Sequence, residues 1–182
     1  AIEQHGPHLP LDVDLRINEG IISAVVESTP DDLPFLILPS QSIGYSAEHE
    51  AFPGTLSYPP AALIDHWTTT VAQAAALGFR RFILFNSHGG NSDLMRIAVR
   101  ELRVNYDVLA VAASWYRIVA LEAFADAEEL EHGIHGGLIE TSVMLHLDPE
   151  HVDMNQAEAF PSFAAELVEK CRHLSATGNI QF

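Results

Sequence analysis

The sequence opens with Ala1-Ile-Glu3-Gln-His5-Gly-Pro-His8-Leu-Pro-Leu-Asp12-Val-Asp14, a stretch that carries two histidines and three acidic residues. Glu3 and His5 are two residues apart, so on an extended backbone their side chains leave from the same face. The prolines oppose a regular helix. Imidazole and carboxylate together suit zinc, manganese or iron(II), whereas calcium and magnesium prefer oxygen ligands. The stretch therefore predicts a rigid loop of metal ligands, with an acidic surface loop as the alternative.

Size and charge narrow the class of protein. The 182 residues are 48% hydrophobic, which predicts one globular domain over residues 1–182. With 25 acidic and 9 basic residues the formal charge is −16, so nucleic acid and anionic membranes are poor partners. Cys171 is the single cysteine, and the sequence has no long apolar run. We therefore expect a cytoplasmic protein.

Apolar patterns along the chain alternate between helix and strand. Helical periodicity or helix-capping residues predict helices over 14–28, 60–77, 92–105, 138–147 and about 160–174. Short apolar runs predict buried strands at 35–38, 82–85 and 107–114. Gly178-Asn-Ile-Gln-Phe182 reads as the start of another strand, and the chain opens directly into its ligand loop. We therefore expect that segments are missing at both ends.

Polar residues follow the second and third strands. His88, in Asn86-Ser-His88-Gly-Gly-Asn91, comes directly after a strand, and ligands of open α/β sheets bind beyond the carboxyl ends of strands. Gly89 and its neighbour Gly90 would let backbone approach a ligand closely. Trp115 follows the next strand and lies either on the rim of the same crevice or in the core. Alternatively, His88 only caps the following helix.

Two further segments carry candidate site residues. The loop 40–58 is too long for a simple connector, and its aromatic residues, including Tyr45 and Phe52, predict a pocket wall. The segment 131–142 places His135 just before a helix and Glu140 inside it. Strand ends and helix starts would thus bring three clusters of histidine and carboxylate towards one crevice.

These residues suggest metal-assisted hydrolysis. The predicted ligands of one ion are Glu3, His5, Asp14 and His88. Asp14 could bridge to a second ion through its other oxygen, although it could instead be a helix N-cap. Glu140 would be a ligand of the second ion or a general base, and His135 would donate a proton to a leaving nitrogen. The sequence has no nucleophile elbow and no phosphate-binding loop.

The three motifs together resemble the creatininase (creatinine amidohydrolase) family. They are Glu3-Gln-His5-Gly-Pro-His8-Leu-Pro with Asp14, Asn86-Ser-His88-Gly-Gly-Asn91, and His135-Gly-Gly with Glu140-Thr-Ser142. The resemblance implies an α/β three-layer sandwich, in which helices flank a central, mostly parallel sheet. It also implies a hydrolytic site with one or two ions, and commonly a hexamer. By position, Glu3, His5, Asp14 and His88 match metal ligands, and His135 matches the histidine of proton transfer.

Departures from creatininase itself bear on the substrate. Creatininase has a tyrosine and a metal-binding glutamate where this chain has Gly89 and Gly90, and a tryptophan where it has Glu131. These differences argue against creatinine as the substrate. Without the glutamate, binding of a second ion would depend on Glu140 as a ligand. We expect a zinc-dependent enzyme, alternatively one using manganese or iron, that cleaves a cyclic amide or formamide with a metal-activated water. Tyr45, Gly89 and Trp115 are the predicted substrate-binding residues.

Two other functions remain open at this point. The nearest alternative is a small metallopeptidase that trims a modified peptide. An open groove at the site, rather than a closed pocket, would favour this function. The other is a binding module with a structural metal, which a closed ligand shell would favour, because catalytic sites keep an open position. The expected partners are a small-molecule substrate and further copies of the chain.

Overall fold

A computed structural model describes residues 1–171 and 173. In chain order its elements are α1 (Val13–Ser28), α2 (Pro60–Ala76), β1 (Arg81–Asn86), α3 (Ser92–Tyr106), β2 (Leu109–Ser114), α4 (Ala127–His132), α5 (Leu138–Leu147) and α6 (Phe163–Lys170). The helices predicted over 14–28, 60–77, 92–105 and 138–147 are confirmed to within one residue. α6 lies inside the range predicted for the last helix. The strand start predicted at 178–182 lies outside the described residues.

The chain forms two compact units. Unit 1 comprises Ala1–Gln4 and Leu11–Val119, and unit 2 comprises His5–Pro10 with the described residues from Ala120 onwards. Among the helices of the described residues, none combines the length and apolar character that crossing a bilayer requires.

The core of unit 1 is a β1-α3-β2 crossover with α2 packed beside it. β1 and β2 are parallel, and their register pairs Phe82 with Ala110 and Asn86 with Ser114. Parallel strands need such a crossover connection, which the amphipathic helix α3 supplies. The core cluster consists of Val71, Ala75, Leu102, Val108 and Ala110, with Phe82, Leu84 and Val99 packed against it. The crossover leaves the carboxyl ends of both strands at one edge.

One predicted strand is wrong. The structure assigns no strand to residues 35–38, and Leu36 is 67% exposed. An apolar run is stabilised as a strand only where a neighbour supplies backbone hydrogen bonds. Within the described residues, the sheet consists of β1 and β2. The apolar pattern alone therefore did not establish that this segment pairs with another strand.

Helix α1 buries its first turn. Val13, Asp14 and Ile17 are its buried residues. The N-cap is Asp12, which makes no side-chain capping bond and instead accepts a hydrogen bond from Arg16 Nε at 2.8 Å. Asp14 is therefore not the cap, and its carboxylate is buried for another reason.

Candidate metal centre

Backbone hydrogen bonds fix the position of Glu3. Ile2 forms an antiparallel bridge with Leu56, in which Leu56 N donates to Ile2 O at 2.9 Å. Gln4 N donates to Thr55 Oγ1 at 3.3 Å, and Glu3 N donates to Leu11 O at 2.9 Å. The loop around Thr55 therefore holds the extended segment that carries Glu3.

A side-chain clip holds the turn that carries His88. Asn86 Nδ2 donates to His88 O at 2.7 Å and to Ser114 Oγ at 3.1 Å, at the ends of β1 and β2. His88 N in turn donates to Asn86 Oδ1 at 3.2 Å. Asn18 of α1 donates to Ser87 Oγ at 3.1 Å, which ties this turn to the helix that carries Asp14.

Glu3, Asp14 and His88 meet in the interior of unit 1. His88 Nδ1 lies 3.0 Å from Glu3 Oε1 and 3.2 Å from Asp14 Oδ2. One ligand atom from each residue lies within 4.8 Å of the others. Their exposed fractions are 1%, 2% and 4%. Two buried carboxylates are costly unless positive charge compensates them, and this donor set suits a divalent cation.

The contacts within the cluster shift the pKa values of His88 and Glu3. Burial lowers the pKa of His88, but hydrogen bonds to Asp14 and Glu3 outweigh burial and raise it to about 10. Burial raises the pKa of Glu3, but hydrogen bonds from His49 and His88 outweigh burial and hold it well below its usual range. The metal-free cluster therefore contains a protonated imidazole beside ionised Glu3, and a cation would replace that proton.

The metal-free protein is expected to lose stability as the pH rises. Because the pKa of His88 is raised from 6.5 to about 10, the folded chain keeps a proton that the unfolded chain releases. This contribution is complete below the unfolded pKa and is lost as the pH rises through the folded one. It is worth on the order of a few kcal/mol. Urea unfolding of chelator-treated protein between pH 6 and pH 10, a range that spans the unfolded and folded pKa values of His88, measures it.

The control for this prediction is His88→Gln, which cannot titrate. The stability of this variant is expected to fall much less over the same pH range. An equal fall in both proteins would show that another group carries the effect.

A second cluster lies in unit 2. The rings of His5 and His135 are stacked with centroids 4.2 Å apart, and Glu140 Oε1 lies 4.0 Å from His5 Nε2. Glu140 Oε2 accepts a hydrogen bond from Gly136 N at 2.6 Å, which fixes the turn after His135. Three predicted site residues are therefore brought together here. Two ring nitrogens and a carboxylate in this arrangement can hold and transfer a proton.

His8 supports the same turn. Its Nε2 lies 3.0 Å from Thr141 Oγ1, one residue beyond Glu140. Its pKa is lowered, because burial and the nearby His5 outweigh a backbone hydrogen bond to Gly136. His8 is therefore a neutral, buried residue that contacts Thr141, next to Glu140.

Gly136→Ala is expected to destabilise unit 2. Gly136 has φ +61°, and a Cβ there would lie 2.7 Å from His5 O, which is a backbone atom. Left-handed strain alone costs about 1–2 kcal/mol, and the overlap adds to it. Thermal unfolding is the measurement, with Gly89→Ala as control, because a Cβ at Gly89 meets nothing within 4 Å. Equal melting temperatures for the two variants would contradict this account of the turn.

The predicted substrate-binding residues occupy different surroundings. Tyr45 uses its backbone carbonyl, which accepts a hydrogen bond from His88 Nε2 at 2.7 Å. Gly89 is exposed. Trp115 is only 7% exposed, and its indole nitrogen has no hydrogen-bond partner among the described residues. Their roles towards substrate stay predictions.

His49 also contacts the cluster, although it was not among the site residues predicted from the sequence. Its Nδ1 lies 2.9 Å from Glu3 Oε2. The residue lies in a short 3-10 helix, Ala47–His49, inside the long loop that was predicted to be functional. A histidine in such a loop is a weak signal, and 46 residues separate it from Glu3 in the sequence.

A family model described as creatinine amidohydrolase matches residues 1–180. The chain belongs to the creatininase family. This confirms the resemblance drawn from the three motifs, and it confirms the α/β fold class with a parallel sheet flanked by helices, which creatininase structures share.

Two relatives show how the chain compares with proteins of named activity. It is 38% identical over 154 residues to the mycofactocin precursor peptide peptidase of Mycolicibacterium smegmatis. The match covers 84% of this chain and 57% of that protein, so the chain spans little more than half of the relative. It is 30% identical over 177 residues to the creatinine amidohydrolase of Pseudomonas putida, which covers 88% of this chain and 66% of that enzyme.

Solved creatininases match in three dimensions as well. A manganese creatininase superposes with a TM-score of 0.71 at 30% identity, covering 88% of this chain and 67% of that one. A variant creatininase of the zinc-zinc type also gives 0.71 at 30% identity, with coverages of 90% and 70%. Family members of this fold therefore bind either metal.

Proposed function

We propose that the protein is a metal-dependent hydrolase of carbon-nitrogen bonds, and that its substrate is a cyclic amide or a formamide. The observation that supports this most strongly is the buried cluster of Glu3, Asp14 and His88, whose ligand atoms lie within 4.8 Å of one another. The family relationship supports the same reaction class.

The three side chains fit a divalent ion. His88 Nε2 lies 2.7 Å from the Tyr45 carbonyl, which can only accept a hydrogen bond, so Nε2 carries a proton. Nδ1 faces both carboxylates and is therefore the ligand atom. We propose zinc as the ion, with manganese or iron as alternatives. Such an ion polarises a carbonyl and makes water a stronger nucleophile at neutral pH.

The number of ions depends on residues beyond this cluster. A Cβ on Gly90 would overlap Tyr45 O, so the turn has no room for a side chain at this position. A second ion would then need other ligands. Glu140 is the ligand predicted for it, and we propose that His5, predicted as a ligand of the first ion, joins Glu140, whose Oε1 lies 4.0 Å from His5 Nε2. The metal content of His5→Ala and Glu140→Gln tests this assignment. If the wild type binds two ions per chain and each variant binds one, His5 and Glu140 are ligands of the second ion. An unchanged metal content would reject the assignment.

We propose that His135 transfers the proton to the leaving nitrogen. It precedes the turn that Glu140 fixes through Gly136, and its ring stacks on His5. A histidine held by neighbours but half-exposed can exchange protons with both substrate and solvent.

A peptidase is the second candidate function. The observation that favours it is the 38% identity to the mycofactocin precursor peptide peptidase, a higher identity than the 30% to creatinine amidohydrolase. The reaction class is shared, because both cleave a carbon-nitrogen bond. The two candidates therefore differ in the substrate and not in the kind of bond that is cleaved.

A substrate panel separates the candidates. Zinc-loaded and manganese-loaded protein would be incubated with cyclic amides, N-formyl compounds and short peptides, and new amino groups would be quantified. Metal-dependent turnover of the first two classes supports the proposal, whereas turnover of peptides alone supports the peptidase. No turnover with stoichiometric metal would favour a binding module. Glu3→Gln is the inactive control.

We further propose a homo-oligomer, by family habit a hexamer, in the cytoplasm. Light scattering coupled to gel filtration gives the number of subunits. A mass equal to one chain at micromolar concentration would reject the oligomer.

A further inference from the structure

The segment Tyr45–His49 contacts two members of the metal cluster. Tyr45 O accepts a hydrogen bond from His88 Nε2 at 2.7 Å, and Ser46 Oγ lies 3.2 Å from the same nitrogen. His49 Nδ1 lies 2.9 Å from Glu3 Oε2. One short segment therefore contacts both an imidazole and a carboxylate of the cluster.

Hydrogen bonds from elsewhere in unit 1 hold this segment in place. Tyr45 N donates to Asn91 Oδ1 at 3.0 Å, and Ser46 N donates to Ser57 Oγ at 3.0 Å. Ser46 is fully buried. His49 O accepts a hydrogen bond from Phe52 N at 2.9 Å. The segment is thus anchored independently of the side chains that it contacts.

The two oxygens of Glu3 have different partners. Oε1 lies 3.0 Å from His88 Nδ1, on the side of the proposed ion, whereas Oε2 lies 2.9 Å from His49 Nδ1. A carboxylate held at one oxygen cannot rotate freely about its last bond. The hydrogen bond to His49 therefore fixes the orientation of the carboxylate group, with its other oxygen directed at His88 Nδ1.

We propose that His49 is a positioning residue for the metal centre: it holds Glu3 Oε2, so that Oε1 is presented to the ion beside Asp14 and His88. The inference rests on the proposed metal-dependent function. Hydrogen bonds to ligands from outside the ligand set orient them, and losing one typically costs about 10–100-fold in metal affinity. His49 would act through Glu3 and would not itself touch the substrate.

Two variants of His49 in the full chain test this role. His49→Leu keeps the bulk and removes the donor, whereas His49→Asn places an amide N–H close to the position of Nδ1. Zinc affinity would be measured by competition with a chromophoric chelator, and the cobalt(II)-substituted protein would report coordination by its visible absorption. The matched control is His66→Ala, because His66 is an exposed residue of α2.

The expected result is a zinc affinity about 10–100-fold weaker in His49→Leu, with an altered cobalt spectrum. His49→Asn would recover most of the affinity, and His66→Ala would match the wild type. Wild-type affinity and spectrum in His49→Leu would overturn the positioning role alone. Lack of zinc binding by the wild-type chain would overturn the metal centre, and the role of His49 with it.

Discussion

Replacing His88 by alanine is expected to remove the metal and, with it, the hydrolytic activity. His88 contributes the one nitrogen of the buried cluster, and its Nδ1 faces both Glu3 and Asp14 at 3.0 and 3.2 Å. Without it, the two buried carboxylates lose the imidazole that both of them contact. Metal content is expected to fall below about one tenth of an ion per chain. Turnover should fall at least about 1,000-fold, because Lewis-acid stabilisation is worth several kcal/mol.

Elemental analysis and turnover of the best substrate in the panel are the two measurements. If His88→Ala does not fold, Asp14→Asn serves as the second variant, because asparagine has nearly the same size as aspartate. His66→Ala on the exposed face of α2 controls for a general effect of losing a histidine. Full metal content in both cluster variants would show that the ion binds elsewhere.

Replacing His135 by alanine is expected to lower kcat while the metal stays bound. His135 belongs to unit 2, where it stacks on His5 with ring centroids 4.2 Å apart. General acid catalysis by a positioned histidine contributes about 100- to 10,000-fold, so kcat should fall within that range. The loss should shrink for substrates whose leaving nitrogen is a weaker base, because such groups need less help from an acid.

The kcat of His135→Ala would be compared across a series of leaving groups at constant metal content. His151→Ala is the control, because His151 is an exposed histidine of the same unit that bonds to Asp148. If the loss is the same for every leaving group, His135 does not act as the acid.

The sequence predicted most of the helices and the parallel strand pair correctly, for a physical reason. Periodic apolar positions and the caps around them are local signals, and α3 with β1 and β2 forms a continuous crossover unit. Leu36 and its apolar neighbours show the limit of that reasoning. Strand formation there would need a partner, which a local pattern does not encode.

The candidate site was predicted in part. The three motifs stand out because histidine and carboxylate are placed next to glycine and proline, and the structure brings Glu3, Asp14 and His88 together. His5, His135 and Glu140 likewise cluster within unit 2. His49 was missed, because its relation to Glu3 depends on how a long loop folds back, and neither spacing nor periodicity carries that information.

Anomalous scattering from crystals of the zinc-loaded full chain tests the central claim most directly. Difference maps on either side of the zinc absorption edge would locate the ion without any assumption about activity. The account predicts a peak coordinated by Glu3 Oε1, an Asp14 oxygen and His88 Nδ1, with Nε2 still on the Tyr45 carbonyl. A peak bound through His88 Nε2, or a fully occupied zinc site away from these three residues, would contradict it.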